Sequence, residues 1–416
     1  MMKGYRWGLN PHILKILYNT VTEKIVTYGA AVWALSMQGR KVKHLQSIQR
    51  PFLLNITRAF RTSPTNALAV LAGILPLSIS VEKEATYQIV KQLGQTTQFG
   101  EEVFTADNLE KAVISLDRHP SLQGRGVNVN LKQTTRSTNI DVTYYTDGSK
   151  IDDSVGCTYA ALKEGRIVCQ WKGHLEAHNS VFQSEATAIS YALQAIIQQR
   201  LYNSYIITDS LSTLYAILNP THSSPIIAAI QEYLRAHKEL KINLEWTKAH
   251  IGNHGNETAD QLAKEAAHNV EAVPVQIPWP VSHLKRNLRA TALAVWQAAW
   301  DNEDTGRRAH TFLPKVDKEL LVTRPQMAYY ITGHGPFPVY FERFGISNSD
   351  QCCCGDLGTA EHYVLKCPLT EGMHIPFPQT NREAFNKFII KQRHQTNKIT
   401  HIVDKLMDIG PDLYHV

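Results

Sequence analysis

The sequence of this 416-residue chain predicts an α/β core flanked on both sides by helical segments. Three observations carry that expectation. Strand-like and helix-like stretches alternate between Asp141 and His268. Helical periodicity with a strong basic bias fills the stretch before Gly94. A second helical stretch then leads into a tight cluster of Cys and His near the C-terminus.

The length exceeds one ordinary domain, and roughly two to four are expected. A hydrophobic content of 43% fits folding into cores and excludes wholesale disorder. The chain lacks a run of about 18 apolar residues, so no membrane span or membrane partner is expected. Met1 to Asn10 lacks the apolar core and cleavage pattern of a secretory signal and reads as the interior of a longer domain. The expected location is nucleus or cytoplasm, not secretion. The net charge of +6 is unevenly spread: Met1 to Arg61 carries ten Lys/Arg and one acidic residue, Glu23, while Asp141 to Val270 carries ten Lys/Arg against fourteen Asp/Glu. The first segment suits a phosphate backbone. The second needs cations, or help from neighbours, to hold a polyanion.

Residues 1–95 read as a basic helical unit. Pro11 to Ala34 forms a helix with Ile13, Leu14, Leu17, Tyr18, Val21 and Ile25 on its apolar face. A second helix carries Arg40, Lys41 and Lys43 outside and Val42, Leu45, Ile48 and Leu53 inside, with a kink or restart at Pro51. Thr62-Ser63-Pro64 opens a third helix, whose apolar body Ala67 to Leu75 is stopped by Pro76. Val81 to Gln92 is the fourth. The basic face is either a nucleic-acid contact, with Arg40, Lys41 and Lys43 as its candidates, or an ordinary solvated surface. Residues 96–140 read as a linker with a short helix around Leu109 to Leu116.

Residues 141–270 change character. Val142 to Thr146, Gly156 to Leu162 and Arg166 to Lys172 read as a three-strand meander turned by Glu164-Gly165. Ser180, with Gln183 three residues on, opens a helix through Arg200 in a capping box. Tyr205 to Thr208 is a strand, followed by a helix to Leu218 and another from Pro225 to His237. Ile242 to Thr247 is the fifth strand, and Asn256 to His268 the closing helix. A Pro-rich hinge, Val273 to Pro280, leads into residues 281–370, which begin with a helix phased on Leu284, Leu288, Ala292, Val295 and Ala299. Residues 371–416 form a tail with helices near Arg382 to Lys391 and Ile399 to Met407.

Four acids are placed to meet. Asp147 and Asp209 close predicted strands, and Glu185 and Asp260 lie in the early turns of helices. Strand ends and helix starts can converge on one edge of a sheet, and carboxylates are the hard oxygen ligands that magnesium takes. Two such ions hold a phosphodiester, activate water and stabilise the leaving oxygen. Four clustered carboxylates without metal repel one another, so at least one raised pKa is expected. A single Asp at a strand end is more often a turn or cap residue; the signal lies in the set.

Tyr145-Thr146-Asp147-Gly148-Ser149, Ser184-Glu185-Ala186, Thr208-Asp209-Ser210, and Trp246 through His250 to Asp260 together resemble type 1 ribonuclease H over about Asp141 to His268. The resemblance implies an α/β ribonuclease H-like domain with a mixed five-stranded sheet. It also implies that Asp147, Glu185, Asp209 and Asp260 bind two magnesium (or manganese) ions and that the substrate is the RNA strand of an RNA–DNA hybrid. By the same resemblance His250, on a mobile loop, assists departure of the leaving group or product; His254 is its competitor by position. Glu257 matches a further acidic position. Ser149 and Ser210 contact substrate or serve as turn caps. Many stand-alone relatives carry a basic protrusion between the later helices, but here only Arg235 and Lys238 precede Lys241 in that stretch, so grip on substrate is expected to come from flanking segments.

Cys352, Cys354, His362 and Cys367 have the composition of a closed tetrahedral zinc site, with Cys353 able to replace either neighbour. The alternative is a set of buried thiols. The pattern resembles the C-terminal zinc knuckle of non-long-terminal-repeat retrotransposon polyproteins. Trp7-Gly8-Leu9 through Tyr28 to Trp33 resembles the helical tail after their reverse transcriptase core, and Ile331 to Gly335 the segment before their knuckle, with a structural role expected for His334. Without a Tyr-x-Asp-Asp motif, no polymerase activity is expected of this chain alone. The whole therefore reads as a ribonuclease H acting on RNA–DNA hybrid and RNA. A non-catalytic nucleic-acid-binding remnant is the alternative. An integrase of the acidic-triad type is disfavoured because Glu185 has no place in it.

Overall fold

The computed structural model of the chain describes residues 8–34, 37, 39–113, 127–132, 142–268, 271–320, 324–376 and 381–410. Lys3, Arg6, Trp7, Leu116 and Asp141, all invoked by the sequence pattern, lie outside them. The backbone divides into two compact units, one built from Met1–Phe104 with Asn287–Val416 and the other from Thr105–Arg286.

The helix expected from Pro11 to Ala34 is broken. It comprises α1 (Pro11–Leu17), a π-helical turn (Tyr18–Thr22), α2 (Glu23–Thr27) and, after Gly29, α3 (Ala30–Trp33). A π turn adds a residue to the local repeat and rotates everything beyond it out of phase. Tyr18 is buried as expected, but Ile13 and Leu17 before the turn, Val21 within it and Ile25 beyond it, all expected to face the core, are exposed. The next helix, α4 (Arg40–Thr57), runs through Pro51 instead of restarting there. Its buried stripe of Leu45, Gln49, Leu53 and Ile56 spans the proline and holds both halves on one axis. Buried Gln49 is well satisfied: its Nε2 donates to Tyr18 Oη (3.0 Å) and the Leu75 carbonyl (2.9 Å), and its Oε1 accepts from Leu77 N–H (3.0 Å). Helix α5 (Thr65–Ala72) follows Thr62-Ser63-Pro64 and is buried from Ala67 onward, and α6 (Leu77–Lys91) starts behind Pro76. The segment expected to be a linker opens with a small hairpin, β1 (Thr97–Phe99) and β2 (Glu102–Phe104). No single described helix is long and apolar enough to cross a membrane.

The second unit is a mixed sheet with helices packed on it. Its five long strands are β4 (Val142–Ile151), β5 (Ser154–Lys163), β6 (Arg166–Leu175), β7 (Ser204–Thr208) and β8 (Ile242–Trp246). Two short edge strands extend this five-stranded core to seven: β3 (Asn128–Asn130) beside β8, and β9 (Val273–Pro274) beside β6. The order is β3-β8-β7-β4-β5-β6-β9. The β4-β5-β6 meander is antiparallel, and β7, β8 and β3 run parallel to β4. Leu109 to Val113 is not helical, contrary to expectation. Leu109 instead bridges Trp279, and Glu110 N–H donates to the Trp279 carbonyl at 2.9 Å, so tertiary pairing overrides weak local preference.

Helix α7 (Val181–Gln199) packs over β4 and β5 through Ala188, Ile189, Ala192, Leu193 and Ile196. The expected capping box is present: the Ser180 side chain accepts from Gln183 N–H and the Gln183 side chain accepts from Ser180 N–H. These bonds satisfy donors that a helix start otherwise leaves open, and they fix where α7 begins. Helices α8 (Leu211–Leu218), α9 (Pro225–Ala236) and α10 (His254–His268) complete the unit, with α10 lying on β4, β5 and β6. Between α9 and β8 stands only a short 3-10 turn, Lys238–Leu240, so no basic protrusion interrupts them.

Helix α11 (Val281–Asp301) buries Leu284, Leu288, Ala292, Trp296 and Trp300. The tail of that stripe was expected at Val295 and Ala299. The two large indoles win the inner positions, and Trp300 Nε1 donates to the Leu313 carbonyl at 2.8 Å. The remaining helices are α12 (Arg307–Phe312), α13 (Pro325–Thr332), α14 (Pro338–Arg343), α15 (Ala360–Leu365), α16 (Arg382–Ile389) and α17 (Arg393–Ile409).

Candidate active site and metal centre

The register of the sheet brings two acids side by side. Parallel pairing of β4 with β7 ends at Thr146 opposite Thr208. Asp147 and Asp209 are the next residues on these two neighbouring strands, whose backbones lie about 4.8 Å apart. Asp147 is not at the end of its own strand, as the pattern suggested, because β4 continues to Ile151 against β5. The end that matters is that of the parallel pairing. Trp246 Nε1 donates to the Asp209 carbonyl (3.2 Å), and Thr247 N–H to the Thr208 carbonyl (2.9 Å), so β8 braces the same edge.

Glu185 comes from the early turns of α7, and Gly148 admits it. A Cβ at Gly148 would lie 2.3 Å from Ser184 Oγ and 2.6 Å from the Glu185 nitrogen. Only glycine allows the helix this close to the strand. Carboxylate oxygens of Asp147, Glu185 and Asp209 consequently all lie within 4.8 Å of one another. Asp147 and Glu185 are buried, at 7% and 8% exposure. Glu185 stands by the hydroxyls of Thr208 and Ser210, yet its Oε2 is buried with no hydrogen-bond partner. Asp147 Oδ1 accepts from Gly148 N–H at 2.8 Å. Burial, then the neighbouring Asp209 charge, pushes the Asp147 carboxyl up to about 7. The same two causes, burial first and then Asp147 and Asp209, lift Glu185 well above the usual carboxylate range. Three hard oxygen donors in mutual reach, one of them an orphan, fit a divalent cation.

Asp260 stands apart from this trio. It is 27% exposed in its side chain, and its Oδ2 accepts from Lys264 Nζ at 2.7 Å. Its charge still reaches Asp147 and contributes to that residue's upward shift. His250 is exposed in the loop after β8, with a left-handed backbone (φ 55°), and it is not grouped with the carboxylates. His254 and Glu257, both exposed, start α10. Asn256 is the residue that local pattern did not single out. It is buried, and its Nδ2 donates to Asp209 Oδ2 at 3.2 Å, tying the start of α10 to the carboxylate cluster. Ser210 stands at the N-cap position of α8, but its side chain makes no capping bond to the helix backbone; its Oγ pairs instead with Thr213 Oγ1 at 2.8 Å.

The Cys/His cluster is equally compact. Cys352, Cys354, His362 and Cys367 offer ligand atoms all within 4.8 Å of one another, while Cys353 is exposed and outside the group. Cys352 and Cys367 sulfurs are 3.6 Å apart, and Cys354 Sγ is 3.3 Å from His362 Nε2. A tetrahedral ion with bonds of about 2.3 Å to sulfur holds two sulfurs about 3.8 Å apart, so the spacing matches zinc. The turn that carries the first two ligands closes on Gly355, at φ 89°, whose N–H donates to the Cys352 carbonyl at 2.8 Å. Thr359 caps α15 by accepting from His362 N–H, which positions the imidazole. Burial holds His362 below its usual range and so in the neutral form a metal takes. Its buried Nδ1 has no hydrogen-bond partner, and the Asp356 carboxylate is 3.7 Å away on the side where such ligands find their outer carboxylate.

A pH dependence follows for protein freed of divalent metal. Folded Asp147 keeps its proton up to about 7, whereas an unfolded Asp releases it near 3.8. The raised pKa therefore stabilises the fold only at low pH and destabilises it progressively as pH rises from about 4 to about 7, by roughly 1.4 kcal/mol for each pH unit climbed between those values. Urea unfolding across this range should show stability falling as pH rises. Asp147→Asn should flatten the slope and stabilise the metal-free protein near pH 7; an unchanged slope would contradict the crowding of these acids.

Known proteins resemble parts of this chain. Residues 139–268 match the family model for RNase H. The chain is 33% identical over 97 residues to a retrovirus-related Pol polyprotein from type-1 retrotransposable element R1 of Bradysia coprophila, a match covering 22% of this chain and 10% of that protein. It is 25% identical over 203 residues to an R1 Pol polyprotein of Popillia japonica, covering 47% of this chain and 80% of that one. The chain thus spans about a tenth of the first relative and most of the second. A solved structure of the foamy viral protease-reverse transcriptase in complex with dsDNA aligns at 21% identity and a TM-score of 0.28, over 32% of this chain and 96% of that one. Residues 139–268 are an RNase H domain, in a chain homologous to the Pol polyproteins of non-long-terminal-repeat retrotransposons.

Proposed function

We propose that the RNase H domain hydrolyses the RNA strand of RNA–DNA hybrids with divalent cations held by Asp147, Glu185 and Asp209 and with Asp260 as an outer acid. The observation that carries this is the convergence of three carboxylates around a buried, unpartnered Glu185 oxygen. When bound, two magnesium or manganese ions supply Lewis acidity at the phosphodiester and lower the pKa of the attacking water. The protein's own work is positional. Gly148 sets the depth of Glu185, Asn256 and Trp246 orient Asp209, and the β4–β7 register fixes the spacing. Asp260, paired with Lys264, adds its charge to the field at Asp147. His250, on its exposed loop, is free to reach the leaving group or product as the site turns over.

Arg40, Lys41 and Lys43 are exposed in the first turn of α4. We assign them to phosphate contact, which compensates for the acidic surplus of the RNase H domain. Cys352, Cys354, His362 and Cys367 are assigned to one structural zinc.

The full chain, given a labelled RNA–DNA hybrid and magnesium, should cut the RNA strand and leave the DNA strand intact. Asp209→Asn should lower the rate by a factor of at least about a hundred. Equal cleavage by both proteins, or none by either, would remove the enzymatic reading and leave a nucleic-acid-binding domain. Elemental analysis of the purified chain should find one zinc per chain, lost in Cys352→Ser and retained in Cys353→Ser. Zinc lost from both or from neither would contradict the ligand set.

A further inference from the structure

We propose that a cavity in the unit formed by Met1–Phe104 and Asn287–Val416 binds an unpaired nucleotide of single-stranded nucleic acid. The cavity has a volume of about 730 Å³, within the range of roughly 300–1,000 Å³ that holds nucleotide-sized molecules. Four arginines line it, against Asp304 and Glu361. Three of the four are spent on the protein itself. Arg50 donates to Thr65 Oγ1 and to the Arg61 and Ser63 carbonyls. Arg307 holds the carbonyls of Trp300, Asp301 and Glu303. Arg308 pairs with Glu361 and with the Tyr330 carbonyl. Arg343 alone makes no hydrogen bond or ion pair among the described residues; its guanidinium lies 5.7 Å over the Phe344 ring.

One wall is aromatic. The rings of His334, Tyr340 and Phe344 stand in mutual contact, with centroids 4.8 to 5.8 Å apart, and Phe344 is 40% exposed. Thr62 Oγ1 locks two of them, at 2.9 Å from His334 Nδ1 and 2.9 Å from Tyr340 Oη. Burial, with Arg343 and Arg308 nearby, pushes His334 down to about 4, so its ring is neutral at pH 7. Its Nε2 has no hydrogen-bond partner among the described residues and is left for a ligand.

These groups form a set with one use each. A free, planar guanidinium takes a phosphate, an exposed aromatic ring takes the face of a base, and a neutral imidazole nitrogen takes a base edge or sugar hydroxyl. A phosphopeptide would use Arg343 but not the aromatic wall. A duplex would offer phosphates but no free base faces. Nothing in this binding requires the carboxylate cluster, so it stands or falls apart from the hydrolytic reading.

The test is fluorescence anisotropy of the full chain with labelled dT10, in zinc-replete buffer without magnesium at fixed moderate salt. Arg343→Ala and Phe344→Ala should each weaken binding by about tenfold or more. Unchanged zinc content and melting temperature would show that both variants fold. A dT10 carrying 5-bromodeoxyuridine should photo-crosslink within residues 333–345. The proposal is overturned if dT10 does not bind, if both variants bind it as the parent does, if both variants lose as much affinity for a duplex of the same length, if a phosphoserine peptide competes for the site, or if the crosslink maps elsewhere.

Discussion

Two like charges on neighbouring strands are the constraint on which the RNase H domain depends. The β4–β7 register leaves Asp147 and Asp209 side by side at the close of their parallel pairing. Water screens such a pair only where it can reach, and Asp147 is 7% exposed. Glu185 then adds a third acid from α7, through the gap that Gly148 leaves open. Without a cation, burial first and then this repulsion lead Asp147 and Glu185 to hold protons, and both shift upward. On the proposed reading a small divalent ion would turn the same crowding into affinity and restore the stability conceded here.

The supporting structure follows from that need. A cluster of acids must be over-determined by its surroundings to keep its geometry. The capping box at Ser180 and Gln183 fixes where α7 begins, and hence where Glu185 falls. Asn256 and Trp246 hold Asp209 from two other elements. The Cys/His cluster solves a related problem in the other unit. Sulfurs and an imidazole are packed to metal-bonding distances around the turn at Gly355, so that cross-linking by one ion would tie this turn to α15 and to Cys367.

Much of this was legible in the sequence where the signal is local. Strand alternation, the capping box, the acids within their short motifs and the Cys/His spacing are read from neighbouring residues. What was not legible depends on groups far apart in the chain. The π turn at Tyr18–Thr22 changes the phase of the residues that follow it, and no composition announces such a turn. The inner phase of α11 went to Trp296 and Trp300, because Leu313 supplies an acceptor for an indole. Strands β3 and β9 exist only because β8 and β6 offer them an edge. Asn256 carries no signature apart from Asp209, which lies 47 positions away. The four acids are equivalent in the motifs, yet the fold separates Asp260 from the other three by giving it Lys264.

Whether the trio of Asp147, Glu185 and Asp209 is a divalent cation site is tested most directly by anomalous diffraction from a crystal of the full chain soaked in manganese. The expected result is a manganese peak bounded by carboxylate oxygens of all three residues, absent in Asp147→Asn. A fully soaked crystal with no peak at these residues, or a peak that survives the substitution unchanged, would contradict it.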